Sequence, residues 1–157
     1  NAAVASSLEQ SKTMWQLRES IPLAQALEGP NIKHDIALPI SSIAEFVVAT
    51  DAQLQQAYPS SRLVNFGHLG DGNLHYNVQA PVGITPADFL SDHEAAVNAI
   101  VYDAVSQRGG SISAEHGIGA LKRDELVKRK STVALGLMRA IKQALDPHNL
   151  MNPGRML

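Results

Sequence analysis

At 157 residues, 45% of them apolar, the chain is long enough to bury the core of one domain and too short for two. A net charge of −2, with Lys128-Arg129-Lys130 as the longest basic cluster, leaves no face basic enough for nucleic acid; that cluster reads as a solvated helix end. No cysteine is present, which excludes disulfides, thiolate metal sites and a cysteine nucleophile and is compatible with a reducing cytoplasm.

No apolar run approaches the roughly 20 residues of a membrane span, and no basic start followed by an apolar stretch marks a signal peptide. The chain opens on Asn1 rather than methionine, so the expectation is a segment of a longer protein.

Residues 3 to 28 read as helical. Met14, Leu17 and Ile21 share one face, with Arg18 one turn beyond Met14, and Pro22 should interrupt the helix. Gly29-Pro30 breaks the chain. Residues 31 to 38 alternate as a strand: Ile32, His34, Ile36 and Leu38 face one way, and Lys33, Asp35 and Ala37 the other. Ser42 and Glu45 have capping-box spacing and open a helix whose stripe is Ile43, Phe46, Val47 and Leu54, with Thr50 its one polar member.

Two strand-like runs, 61 to 69 and 73 to 79, flank Gly70-Asp71-Gly72, a tight hairpin turn. In the second run Leu74, Tyr76 and Val78 form a core face, opposite Asn73, His75 and Asn77. Thr85-Pro86 starts a helix carrying Val97, Ile100, Val101, Ala104 and Val105, and Gly109-Gly110 ends it. Residues 111 to 115 read as a short strand before the turn His116-Gly117-Ile118-Gly119. A charged helix of about ten residues follows. The last helix carries Ala134, Leu137, Met138, Ile141 and Leu145 and stops at Asp146-Pro147; the tail from Asn149 to Leu157 is aperiodic. Apart from the end helices the order is β-α-β-β-α-β. This predicts an α+β fold with a ferredoxin-like antiparallel sheet, helices on one face, and extra N- and C-terminal helices.

Three segments are richer in His, Gly and Asn than folding requires. In Gly67-His68-Leu69-Gly70-Asp71-Gly72-Asn73-Leu74-His75 the turn folds His68 back toward His75, and two neutral imidazoles suit zinc or a related divalent ion. The plainer reading is two surface histidines beside a glycine turn. In Ser113-Ala114-Glu115-His116-Gly117-Ile118-Gly119, Glu115 can add a hard ligand and His116 can act as a general base; alternatively Glu115 only caps amides. The third segment, Asp146 to Arg155, holds an extended path with two Asn and two Pro. Arg18 and Lys33 are candidate anion binders or simply solvated cations. Neither G-x-G-x-x-G nor a P-loop is present.

Together and in this order, the 67–75 and 114–119 segments and Leu145-Asp146-Pro147 through Asn152-Pro153-Gly154 resemble the C-terminal domain of FAD-linked oxidases of the vanillyl-alcohol-oxidase type. Within that group they are most similar to D-lactate dehydrogenases, the glycolate oxidase flavin subunit and D-2-hydroxyglutarate dehydrogenases. The resemblance runs from about Trp15 to the C-terminus. It implies that residues 1–157 are the substrate-side domain of a longer FAD-dependent enzyme, which oxidises a D-2-hydroxy acid to the 2-oxo acid.

It further implies that His68, His75 and Glu115 hold a divalent metal, zinc or manganese. His116 becomes the base, Arg18, Lys33 and Asn77 contact the substrate, and Asn152 approaches the flavin. The implied partners are the small-molecule 2-hydroxy acid and the flavin-binding domain of the same polypeptide, which holds most of the FAD; a homo-oligomer is allowed. The expected location is the cytoplasm, with peripheral attachment to the inner membrane face left open.

Two departures stand out: Pro22 occupies a position where the D-2-hydroxyglutarate enzymes prefer a hydroxyl residue, and the flavin-binding domain is absent, so this chain alone is expected to be inactive. A simple ferredoxin strand order also puts Glu115 at the opposite edge from the His68/His75 hairpin. A non-enzymatic ferredoxin-like ligand-binding module and a stand-alone metal-dependent hydrolase are the alternative readings.

Overall fold

The computed structural model describes residues 2–157. A three-stranded antiparallel sheet has the order β1-β3-β2, where β1 is Ile32–Ala37, β2 is Arg62–Phe66 and β3 is Asn73–Gln79. Alternation decides which face is core. Ile32, His34 and Ile36 of β1, with Leu74, Tyr76 and Val78 of β3, are all buried. They pack with α3 (Ile43–Ala57) and α4 (Pro86–Gln107), which contribute Phe46, Leu54, Phe89, Val97, Val101 and Val105 to the same cluster. Each such side chain stabilises the fold by about 1.5–3 kcal/mol through burial. The α+β class is therefore as expected.

The N-terminal helices α1 (Leu8–Glu19) and α2 (Ile21–Leu27) reach the opposite, polar face through a few side chains. The helix breaks at Ser20, and Pro22 lies in the first turn of α2, where its missing N–H costs nothing. Gln25 of α2 accepts a hydrogen bond from Asn77 at 2.7 Å. Glu28, which ends α2, pairs with Arg62 of β2 and accepts from Gln79 of β3. Arg18 of α1 stacks on the Phe66 ring, 5.0 Å from its centroid.

Four local expectations change. Ser42 stands at the N-cap of α3, but its hydroxyl caps nothing. Its ψ of −10° is already helical, and a short 3-10 turn, Ile40–Ser42, leads into the helix. The caps that do form, at Ser7, Thr85 and Ser131, have extended ψ values of 161°, 147° and 149°, which turn the hydroxyl back onto the helix N–H groups.

The Gly70-Asp71-Gly72 connection is a 3-10 turn, Leu69–Asp71, rather than a two-residue hairpin loop. Gly72 closes it at φ 70°, and a Cβ there would lie 2.2 Å from the Leu38 carbonyl.

The expected strand over 111 to 115 shrinks to one antiparallel bridge, Ala37 to Ser111, at the free edge of β1. That is the ferredoxin-like position for a last strand, reduced to a single pair. Beyond it Ala114 N–H still reaches the Asp35 carbonyl at 3.2 Å, and the Asp35 carboxylate then draws in the Glu115 and His116 N–H groups at 2.9 and 2.8 Å, which turns the chain toward the polar face of β1.

The remaining helices are α5 (Arg123–Arg129), shorter than the expected ten residues, and α6 (Thr132–Leu145), which stops where Asp146-Pro147 predicts. The α6 stripe is not core: Leu137, Ile141 and Leu145 are 60–76% exposed, and only Leu135 of this helix is buried.

Candidate active site

The register of the sheet builds the site. Lys33 pairs with Asn77, and Asp35 with His75. These four side chains share the face away from α3 and α4. A cavity of about 520 Å³ opens on that face; Lys33, Asp35, His75, Asn77 and His116 line it, as do Gln25, Lys122 and Arg155. Strand pairing thus joins the polar positions of β1 and β3, and the turn at residues 114–116 brings the second motif to them.

Glu115 bridges the two motifs. One of its carboxylate oxygens lies 3.7 Å from His68 Nδ1 and the other 3.9 Å from His75 Nε2. Nitrogen and oxygen ligands around one tetrahedral zinc lie about 3.4 Å apart, so a small side-chain adjustment closes this set on an ion. Asp35, Glu115 and His116 form a second group, with ligand atoms within 4.8 Å of one another. Asp35 is the weaker ligand: it is 3% exposed, and its oxygens already accept from Glu115 N, His116 N and Asn73 Nδ2. It also stands 3.9 Å from His75 Nδ1 and 3.7 Å from His116 Nδ1, which turns Nε2 of each ring toward other partners.

The electrostatics follow from burial. Desolvation lowers the His75 pKa, against the pull of the Asp35 and Glu115 carboxylates, so the neutral, ligand-competent ring is favoured. Burial alone would raise Asp35, but the His116 and Glu115 N–H bonds outweigh it and hold the carboxyl below its ordinary value. Lys122, whose Nζ donates to the Ile112 carbonyl at 2.9 Å, is lowered by desolvation and partly restored by Asp35.

His68, His75, Glu115 and His116 are thus brought together, and Lys33 and Asn77 stand one same-face step along the sheet. Arg18 does not line the cavity; it reaches the site through Phe66, whose ring centroid is 4.9 Å from that of His75. Asn152 is exposed in the tail at φ 49° and lies outside the cavity lining, whereas Arg155 of the same tail lies within it. Met156 N–H bonds to Gly119 O at 2.9 Å, tying the tail to the second motif.

Sequence reading missed Asp35 and Gln25. Asp35 had a signal, its place on the polar face of β1 between Lys33 and Ala37. Its partners, however, lie 80 and 81 residues downstream.

Residues 1–156 match the family described as FAD linked oxidases, C-terminal domain. The chain is 42% identical over 156 residues to the D-2-hydroxyglutarate dehydrogenase of Xanthomonas citri pv. viticola, covering 99% of this chain and 33% of that one. It is 36% identical to the Stutzerimonas stutzeri enzyme of the same name, with the same coverage. To the mitochondrial enzyme of Danio rerio it is 39% identical, over 100% of this chain and 28% of that one. It therefore spans about a third of the length of the bacterial relatives it matches. No helix among the described residues is long and apolar enough to cross a membrane. On the match across nearly its whole length, the chain belongs to the family of FAD-linked oxidase C-terminal domains.

Proposed function

We propose that this chain is the substrate-side domain of an FAD-dependent dehydrogenase that oxidises a D-2-hydroxy acid, with D-2-hydroxyglutarate the first substrate to test. The observation that carries the reading is the convergence of His68, His75 and Glu115 beside His116; His75 and His116 line the cavity that Lys33 and Asn77 also line, and His68 and Glu115 lie outside its lining.

His68, His75 and Glu115 would hold a divalent ion, zinc or manganese, which supplies Lewis acidity to an α-hydroxyl. Their donor set, two imidazoles and a carboxylate, leaves room for a substrate oxygen. Asp35, facing Nδ1 of His75, keeps Nε2 for the ion. His116 faces Asp35 through Nδ1, so its Nε2 accepts the hydroxyl proton. Lys33 and Asn77 hold the anionic substrate, and Arg18 backs the site from behind Phe66.

Conversion to the 2-oxo acid removes that proton together with the C2 hydrogen and two electrons; FAD, when bound, supplies the two-electron acceptor. The chain offers no glycine motif for a diphosphate, so the nucleotide half of FAD belongs to the flavin-binding part of the longer protein, with Asn152 and the tail nearest the ring.

The test is a zinc and manganese titration by calorimetry on the full-length protein, with and without a D-2-hydroxy acid, beside a dye-reduction assay. Wild type should bind about one equivalent and turn over, and His68→Ala/His75→Ala should bind none. His116→Ala should retain the metal and lose about 100-fold or more in kcat. Unchanged metal binding in the double variant, or full turnover without His116, would refute these roles.

A further inference from the structure

Lys122 lines the cavity, and the reading above gives it no task. It ends the glycine-bearing wall that begins at His116, and its backbone N–H bonds to the Ile118 carbonyl at 3.2 Å. Its Nζ donates to the Ile112 carbonyl at 2.9 Å. Ile112 is buried in the core and follows Ser111, which is bridged to β1, so the anchor is rigid. An ammonium carries three N–H donors, and Ile112 takes one of them. Among the described residues no other acceptor and no carboxylate pairs with Nζ.

A half-buried cation without a close counter-ion is uncommon, because the lost hydration has to be replaced. Asp35 is the one carboxylate in the cavity lining, and its oxygens are already held by Glu115 N, His116 N and Asn73 Nδ2. Three cations, Lys33, Lys122 and Arg155, share that lining with it. Lys33 and Arg155 are exposed, whereas Lys122 is tied at its tip to the core. Asp35 also feels the charge of both His116 and Lys122, so the imidazole and the ammonium stand around one carboxylate.

We propose that Lys122 is a further substrate-binding residue of this site. Its two free N–H groups hold the carboxylate attached to the carbon that bears the hydroxyl, while the hydroxyl faces His116. Lys33 and Asn77 hold the anion from the sheet, and Lys122 fixes its direction, since only this ammonium is anchored. The carboxylate in turn supplies the counter-charge that Lys122 lacks. The inference deepens the 2-hydroxy-acid reading and rests on it.

The experiment compares full-length wild type with Lys122→Met and Lys122→Arg. The substrates are D-2-hydroxyglutarate and its derivative in which that carboxylate is a carboxamide. Wild type should favour the carboxylate by about 10- to 100-fold in kcat/KM, the effect of one charged hydrogen bond. Lys122→Met should lose that preference, mainly through KM, and Lys122→Arg should recover most of it because the charge is kept. Zinc titrations should be unchanged in both variants, since a lysine that merely tied down its loop would disturb Glu115 as well.

A second measurement needs no variant. With 2-oxoglutarate at about ten times its Kd, acetylation of Lys122 in wild type should slow by about tenfold, with exposed Lys128 as the reference. A preference preserved in Lys122→Met, a wild type without preference, or unprotected Lys122 overturns the proposal. So does a Lys122→Met protein that loses zinc and both substrates alike, which would leave Lys122 only a loop tie. Wild type that oxidises neither compound overturns the 2-hydroxy-acid reading itself, and the role of Lys122 falls with it.

Discussion

Asp35 and His34 are sequence neighbours on opposite faces of β1, and their physics diverges accordingly. Asp35 holds the turning chain through two backbone N–H bonds at 2.9 and 2.8 Å. Asp35→Ala would orphan both donors and should cost about 3 kcal/mol in urea unfolding; Asp35→Asn, which keeps an acceptor, should cost about 1. His34 is buried in the core, its Nδ1 2.7 Å from the Tyr76 carbonyl and its Nε2 2.8 Å from the Asn98 carboxamide. Desolvation pushes its pKa from 6.5 down to about 4.

Because the folded value lies below the unfolded one, the unfolded chain binds the extra proton. The neutral ring's contribution is complete above pH ~6.5 and is lost as pH falls toward ~4, about 3 kcal/mol in all. Asp35, also lowered in the fold, adds its own loss below the ordinary carboxylate value of about 4. Unfolding free energies between pH 7 and 4.5 should fall steeply in wild type and less in His34→Leu, although that variant is less stable at pH 7. An equal slope would show that His34 is not the titrating group.

At the scale of elements, the single bridge between Ala37 and Ser111 controls the site. Ser111 exchanges both backbone hydrogen bonds with Ala37, at 2.8 and 3.0 Å, and the chain then turns toward the polar face of β1 to deliver Glu115 and His116. Gly110 makes this approach possible: a Cβ there would stand 2.5 Å from the Ala37 carbonyl and 2.8 Å from Val105. Gly110→Ala should therefore cost about 2 kcal/mol or more and weaken the proposed metal binding, although residue 110 lies outside the candidate site. Calorimetry and thermal unfolding on one preparation check both effects; a loss of stability with intact metal affinity would uncouple the bridge from the site. The helix caps are the opposite case. Thr85 and Ser131 close their helices with local bonds of 3.2 Å that a sequence motif can announce.

Across the whole molecule, apolar surface is divided unevenly. The α3/α4 side of the sheet is packed, while α6 turns Leu137, Ile141 and Leu145 outward. Leu137→Asp should change the stability of this chain by less than about 0.5 kcal/mol, whereas Leu135→Ala, at a 5% exposed position, should cost about 2–4 kcal/mol. Thermal unfolding of the two variants separates a face that serves this chain's core from one that does not; equal losses would place the α6 stripe in the core after all.

The sequence by itself determined what depends on near neighbours. Period-two alternation settled the two faces of β1 and β3, Pro22 and Gly109-Gly110 settled helix ends, and the 67–75 and 114–119 segments marked the candidate site. These follow from steric and hydrogen-bonding rules that act over a few residues. Only the tertiary structure decided how Glu115 reaches His75, because the clamp that turns the chain is a carboxylate on β1, 80 residues away, whose burial no local pattern displays. It likewise decided that the α6 stripe stays outside this chain's core and that Gln25 is buried against Asn77. Burial and pairing are properties of what a side chain meets in space, and a helix face reads the same in sequence whether or not anything meets it.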